Sequence, residues 1–236
     1  MNKIGIVVFF IFLLFIRTSG WADMPEIDRD NWISISGEID EAKADETITA
    51  LMNLDSEPET SPVGIRISSP GGSLMSVMAI CDVIKNMRRS VVTVALGEAI
   101  SGAALILSSG DERFIGDYTM VMLHQPTIIL DNWSSSFEDF RQLSGALSKI
   151  EDKMYSLLAE NTGKTKEEIR KMLQSEVWFT AQEAIEFGLA DELLSKGGLK
   201  VKKRPLTPEE KEKKEKEESS SSVQTNTNLR LFFWKG

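Results

Sequence analysis

Short runs rich in valine and isoleucine alternate with helix-forming segments through the middle of this 236-residue chain, and no other feature restricts its fold as strongly. The run at residues 91–96 is continuous and β-branched, which is typical of a buried strand. Strands are predicted over residues 32–37, 63–68, 91–96, 113–115 and 120–123, and helices over residues 41–54, 74–87, 101–108, 136–161 and 166–173. Because strands alternating with helices of this size form parallel βαβ units, we expect a layered α/β fold.

The two ends of the chain differ in composition from the middle and divide it into three parts. Residues 4–16 form an apolar run that would be about 20 Å long as a helix, short of the roughly 30 Å hydrocarbon core of a membrane. Residues 1–22 are therefore predicted to be a signal-like segment or an N-terminal anchor, and both interpretations stay open. Residues 23–196 are the predicted folded domain, and residues 197–236 are a charged, polar tail, predicted to be disordered, with an apolar end.

Composition excludes several classes of function. Acidic residues outnumber basic ones by 36 to 27, and a net charge of −9 gives no general attraction for nucleic acid, so none is expected as a partner. One cysteine, Cys81, and one histidine, His124, are too few for a zinc site of these ligands, and we expect neither a metal nor a cofactor. Any mechanism that needs an imidazole must use His124.

Three places combine residue types that could serve chemistry. Ser101 stands where a predicted strand gives way to a helix whose free N–H groups could stabilise an oxyanion, although an ordinary N-cap serine fits the same pattern. His124 ends an apolar strand just before a proline, where a half-buried structural histidine would also fit. Gly71 and Gly72 follow a strand and either expose N–H groups to a ligand or form a plain turn.

The order and spacing of these places carry a resemblance to a known family. The motifs are Ser-Pro-Gly-Gly at 69–72, Gly-Glu-Ala-Ile-Ser-Gly-Ala at 97–103, Met-Leu-His-Gln-Pro at 122–126 and Trp-Phe-Thr-Ala-Gln-Glu-Ala-Ile-Glu-Phe-Gly-Leu-Ala-Asp at 178–191. With them, residues 31–196 resemble the ClpP family of serine peptidases. The resemblance implies a ClpP/crotonase-like α/β fold of repeated βαβ units with a long handle helix. It also implies an endopeptidase that cuts unfolded or extended polypeptides inside a homo-oligomeric ring, single or stacked.

The same resemblance implies roles for five residues. Ser101 would be the nucleophile, and His124 would be the base that takes the hydroxyl proton and later protonates the leaving amine. Backbone N–H groups of Gly71, Gly72 and Gly102 would form the oxyanion hole. The family usually carries methionine at the position of Gly102, and glycine is tolerable there because only the backbone is asked to donate.

The third member of the catalytic triad departs from the family pattern. Counting back from residues 179–181, Glu176 occupies the position of the family's aspartate. A glutamate is one methylene longer and can still accept the imidazole N–H, as Ser-His-Glu triads on other folds do. Asp191 and Asp117 are the alternatives for this role.

Two further departures concern partners. Only residues 23–30 separate the signal-like segment from the first predicted strand, where housekeeping members have an axial loop and a helix that dock an ATPase ring. Residues 127–133 are apolar and lack the glycine-rich strand that the family has there. The chain therefore resembles divergent members of phage or accessory type. Dependence on an ATPase unfoldase as a partner is doubtful on these grounds.

Other functions and locations also stay open. The apolar N terminus would suit a membrane enzyme like a signal-peptide peptidase, which uses a Ser-Lys pair. Loss of a triad member would leave a catalytically weak ring subunit. The resemblance implies a cytoplasmic protein, whereas an N-terminal signal or anchor would make it exported or membrane-tethered.

Overall fold

The computed structural model describes residues 25–127, 136–194 and 201–202. The strands are β1 (Ile27–Asp28), β2 (Trp32–Ser36), β3 (Val63–Ser69), β4 (Val91–Ile100), β5 (Glu112–Ile115), β6 (Met120–Leu123), β7 (Val177–Phe179), β8 (Glu192–Leu193) and β9 (Val201–Lys202). The helices are α1 (Glu41–Ser56), α2 (Leu74–Asn86), α3 (Gly102–Ser108), α4 (Phe137–Thr162), α5 (Lys166–Met172) and α6 (Ala181–Phe187), and a 3-10 turn covers Arg29–Asn31. Each predicted strand and helix is present, and β1, β7, β8, β9 and α6 are additional.

A seven-stranded sheet forms the centre of the fold. Strands β2, β3, β4, β5 and β8 lie in that order with every neighbouring pair parallel, and β6 pairs in parallel with β4 and antiparallel with β7. Helices α1, α2 and α3 connect successive parallel strands. These repeated βαβ units, together with the long helix α4, confirm the predicted fold class.

Strand β4 is longer than predicted and joins two parts of the sheet. The sequence suggested an end at Leu96 because a glycine follows, but the strand continues to Ile100. Gly97 has a φ of +83°, and the register with β3 shifts in this region. Residues 92–95 then pair with β5, and residues 98–100 pair with β6. An irregularity of this kind re-aims a strand without ending it, so the last residue of β4 lies beside the end of β6.

Within the described residues, buried side chains form a large cluster and a small one, and β4 contributes to both. Val91 and Ala95 belong to the large cluster, whereas Val92 and Val94 belong to the small one. The division follows from the strand itself, because successive side chains point to opposite faces of a sheet. Both faces of β4 are therefore buried, as its continuous β-branched sequence indicated.

Helix α4 is long and packs on the rest of the chain through only one half. Its 26 residues span about 39 Å. The buried residues of the helix all lie within residues 154–158. The first half is mostly exposed, and Phe137 and Phe140 are 76% and 51% accessible to solvent.

The two predicted end segments lie almost wholly outside the described residues. Residues 1–22 are not among them, and of the predicted tail only β9 is, which pairs in parallel with β1. Among the helices of the described ranges, none combines the length and the apolar character needed to cross a membrane.

Candidate active site

Ser101 and His124 lie side by side at the carboxyl ends of two parallel strands, β4 and β6. The pairing of Ile100 with Met122 fixes how far β4 and β6 each reach, and the Ser101 N–H donates to the Met122 carbonyl at 2.8 Å. His124 follows the last residue of β6 and Ser101 the last residue of β4. As a result, His124 Nε2 lies 2.7 Å from Ser101 Oγ, which is hydrogen-bond distance.

The backbone of Ser101 is strained. Its φ is +56° and its ψ is −120°, and within the described residues it is the one non-glycine residue with a positive φ. Such conformations cost on the order of 1–3 kcal/mol and persist where the surrounding structure over-determines them. Here β4 turns abruptly into α3, and a sharp strand-to-helix turn of this kind exposes a serine hydroxyl at the edge of a sheet.

The turn after β3 lies directly against the start of α3, and only glycine fits there. A Cβ on Gly71 would lie 2.6 Å from the Ile100 carbonyl oxygen and 2.9 Å from the Gly102 nitrogen. Ser69 Oγ donates to the Gly37 carbonyl at 2.6 Å and accepts from the Gly71 N–H at 3.0 Å. The Gly71 N–H, which the resemblance assigned to an oxyanion hole, is thus engaged inside the turn.

Gly72 and Gly102, which carry the other two backbone N–H groups, line the same cavity as Ser101. Gly102 is the first residue of α3, so its N–H has no acceptor within the helix. Gly72 forms a bridge with Ile39, and no acceptor for its own N–H is recorded among the described residues. A Cβ on Gly102 would lie 2.5 Å from Cγ2 of Val77, so any larger residue here would have to displace the Val77 side chain.

Ser101 and His124 line a cavity of about 410 Å³. Its apolar wall is formed by Leu74, Leu105, Met122 and Met154. The cavity continues into a groove of about 470 Å³ between the start of α2 and the first half of α4, and the two share residues 73–74 and 126–127. The site is therefore an elongated cleft rather than an isolated pocket.

The pairing of β6 with β7 fixes the position of Glu176. Leu123 pairs with Val177 in the last pair of this ladder, and His124 and Glu176 are the residues that flank that pair. Paired residues of antiparallel strands have Cβ atoms about 4.5–5.5 Å apart, so the residues that flank the last pair lie near each other. The Glu176 carboxylate nevertheless accepts a hydrogen bond from the indole N–H of Trp178, and among the described residues no hydrogen bond between Glu176 and His124 is recorded.

The two alternative carboxylates lie elsewhere. Asp191 forms an ion pair with Arg113, whose Nε lies 3.0 Å from Asp191 Oδ2, and Arg113 also donates to carbonyls at the ends of α4 and α6. Asp117 lies in the turn before β6, whereas His124 follows β6, a strand that spans about 13 Å. Of the three carboxylates considered from the sequence, Glu176 is the one whose residue flanks the last pair of the β6–β7 ladder, as His124 does.

Three residues that sequence reasoning did not single out also shape the site. Ser69 is fully buried at the end of β3, and a buried hydroxyl is expected to be hydrogen-bonded. Trp178 stands within one of the motifs, but nothing in the motif shows its bond to Glu176. Glu38 lines the cavity, and nothing in its sequence surroundings marks it.

Cys81 lies in the core, not in the cavity. Burial raises the pKa of its thiol to about 12, so the reactive thiolate is not formed at neutral pH. Within residues 25–127 and 136–194, no group of three or more His, Cys, Asp and Glu side chains is placed to hold a metal ion.

Comparison with known proteins assigns the family. The family model described as Clp protease matches residues 19–197, a range that includes both Ser101 and His124. The chain is 33% identical over 169 residues to an ATP-dependent Clp protease proteolytic subunit 2 from Frankia casuarinae, and the match covers 70% of this chain and 76% of that relative. With the predicted fold confirmed and a serine and histidine in contact, these matches show that the chain belongs to the Clp protease family and is a serine-type endopeptidase.

Proposed function

We propose that this chain cuts peptide bonds with Ser101 as the nucleophile, His124 as its base and Glu176 as the carboxylate that orients the imidazole. The observation that carries the proposal is the 2.7 Å contact between His124 Nε2 and Ser101 Oγ at the strained end of β4. A serine hydroxyl is a poor nucleophile until a neighbouring base takes its proton, and this contact supplies the base.

The reaction then proceeds through an acyl-enzyme. Ser101 Oγ attacks the carbonyl carbon while His124 takes the hydroxyl proton, and the oxyanion forms beside the N–H groups of Gly72 and Gly102. One such donor is worth about 10²–10³ in rate. The imidazolium gives its proton to the leaving amine, and the C–N bond breaks. A water molecule, deprotonated by the same imidazole, hydrolyses the ester and restores the serine.

Glu176 serves as a positioning residue in this scheme. A carboxylate that accepts from Nδ1–H holds the imidazole in the tautomer whose Nε2 can take the serine proton, and it stabilises the imidazolium. The register of β6 and β7 supports this role, because His124 and Glu176 flank its last pair, Leu123 with Val177. The bond from the Trp178 indole competes with this role, because it holds one oxygen of the same carboxylate.

The shape of the cleft supports unfolded or extended polypeptides as substrates. The cavity at Ser101 continues into the groove along α4, so a chain segment can lie in both at once. The relative from Frankia casuarinae is described as ATP-dependent, and an ATPase unfoldase is a candidate partner for folded substrates.

The exposed half of α4 supports assembly of several copies, in a single or stacked ring. Two phenylalanines stand on this half with more than half of their surface accessible, at positions 137 and 140. Large exposed apolar groups on one projecting element mark an interaction surface.

The proposed function is tested by comparing hydrolysis of a permanently unfolded polypeptide with that of a folded protein of similar length. The native mass of the enzyme is measured in parallel. We expect cleavage of the unfolded substrate alone, by an oligomer. The Ser101→Ala variant should assemble equally well and cut neither. An assembled but uncleaving wild-type protein would support the weak-subunit alternative, and an active monomer would contradict the ring.

A further inference from the structure

Glu38 brings a negative charge to the active-site cavity. It is the one carboxylate among the described residues that line the cavity, and its side chain is exposed. Neither a lysine nor an arginine lines the cavity or the adjoining groove within the described ranges. The carboxylate of the groove, Glu151, accepts from the Tyr155 hydroxyl at 2.6 Å. The described part of the cleft therefore offers a bound cation one exposed carboxylate, that of Glu38.

Backbone hydrogen bonds hold Glu38 beside the proposed oxyanion hole. The next residue, Ile39, donates its N–H to the Gly71 carbonyl at 2.8 Å and accepts from the Ser73 N–H at 2.9 Å. A Cβ on Gly72 would lie 2.3 Å from the Ile39 carbonyl oxygen, so the two backbones are in direct contact. The segment that carries Glu38 and the turn that carries Gly72 thus form one unit.

We propose that Glu38 determines specificity by selecting substrates with a lysine or arginine beside the scissile bond. This inference rests on the proposed function, because it concerns the same cleft. A substrate carbonyl at Ser101 brings its neighbouring side chains within the cavity that Glu38 lines, where a cation is attracted and an acidic side chain is repelled. The apolar wall at Leu74 and Leu105 receives an uncharged side chain of the same segment.

Solvent exposure sets the size of the effect. A solvent-facing ion pair changes an equilibrium or rate by at most about fivefold, and salt weakens it. Glu38 therefore adjusts the rate among substrates that are all cleaved.

The test uses fluorogenic peptides in which one lysine is moved through the three positions on each side of the scissile bond. Each is compared with a peptide carrying methionine at that position, on the assembled protein. We expect one position at which lysine raises kcat/KM by about two- to fivefold at low salt. The preference should disappear in Glu38→Gln and at an ionic strength of about 1 M, where the Debye length is only about 3 Å. It should persist in the matched control Glu41→Gln, which removes a charge from the exposed first turn of α1.

The outcomes separate this inference from the proposed function. Efficient cleavage without any preference for lysine, or a preference that survives in Glu38→Gln, overturns the specificity role and leaves the serine mechanism intact. Failure of Ser101-dependent cleavage of every peptide overturns both. A Glu38→Lys variant that comes to prefer glutamate at the same position would support the role directly, because the sign of the charge would then set the preference.

Discussion

The two halves of the candidate active site are held in place by different means. Ser101 and His124 follow adjacent parallel strands, and hydrogen-bonded register sets where each of them lies. Glu176 lies beside the three-residue strand β7, and its exposed carboxylate is bound to the indole of Trp178. The backbone of the central strands fixes Ser101 and His124. The position of the Glu176 carboxylate depends instead on the rotamer of an exposed side chain.

This difference predicts how the site responds to change. A group positioned by the backbone is already organised for the reaction and loses little on binding substrate. A group positioned by an exposed side-chain bond can exchange partners at small cost, because surface interactions are worth about 0–1 kcal/mol. The serine and histidine should therefore dominate catalysis, and Glu176 should modulate it.

Replacement of either backbone-positioned residue should have the largest effect. Ser101→Ala and His124→Ala should each lower kcat by at least about 10⁴-fold, because loss of the nucleophile or of its base removes the concerted step. Initial rates on an unfolded polypeptide measure the loss, with Ser56→Ala at the end of α1 as an active control. Normal activity in His124→Ala would instead favour the hypothesis of an enzyme that uses a Ser-Lys pair.

Removal of the Glu176 charge should have an intermediate effect. Glu176→Gln should lower kcat by about 10²-fold, because the imidazole loses the acceptor that fixes its tautomer. Glu176→Asp should recover part of the rate, since the carboxylate is kept on a shorter side chain. Unchanged kcat in the glutamine variant would remove Glu176 from the triad.

Removal of the competing indole donor should have a smaller effect of opposite sign. Trp178→Phe keeps an aromatic side chain but cannot donate, so Glu176 is freed for His124, and we expect kcat to rise about two- to fivefold. The same substitution in the Glu176→Gln background should give no rise. A fall in kcat of the single variant would indicate that the indole holds Glu176 in its working position.

The features that could be predicted from the sequence are mainly those that the backbone of the sheet fixes. The βαβ order and the places of Ser101 and His124 could be expected from periodicity and motifs, because backbone pairing determines them. The extension of β4 beyond Gly97 could not, since it depends on pairing with β6 far along the chain. The bond between Ser69 and the Gly71 N–H, and that between Trp178 and Glu176, were likewise not predictable, because they depend on side-chain and turn geometry.

The carboxylate of Asp191 provides the smallest expected effect on catalysis. Asp191→Asn should leave kcat within about twofold per folded molecule and lower the free energy of unfolding by about 1–3 kcal/mol, because Arg113 loses a charged partner. Thermal or denaturant unfolding measures the loss of stability. A large fall in kcat without loss of stability would return Asp191 to the triad.

The central claim is that His124 activates Ser101, and covalent labelling tests it most directly. The assembled protein is treated with a fluorophosphonate, and the rate and site of labelling are determined by mass spectrometry for the wild type and for His124→Ala. The predicted result is modification of Ser101 alone, slowed by at least about 10³-fold in the variant. Modification of another serine, or an unchanged rate at Ser101 in His124→Ala, would contradict the claim.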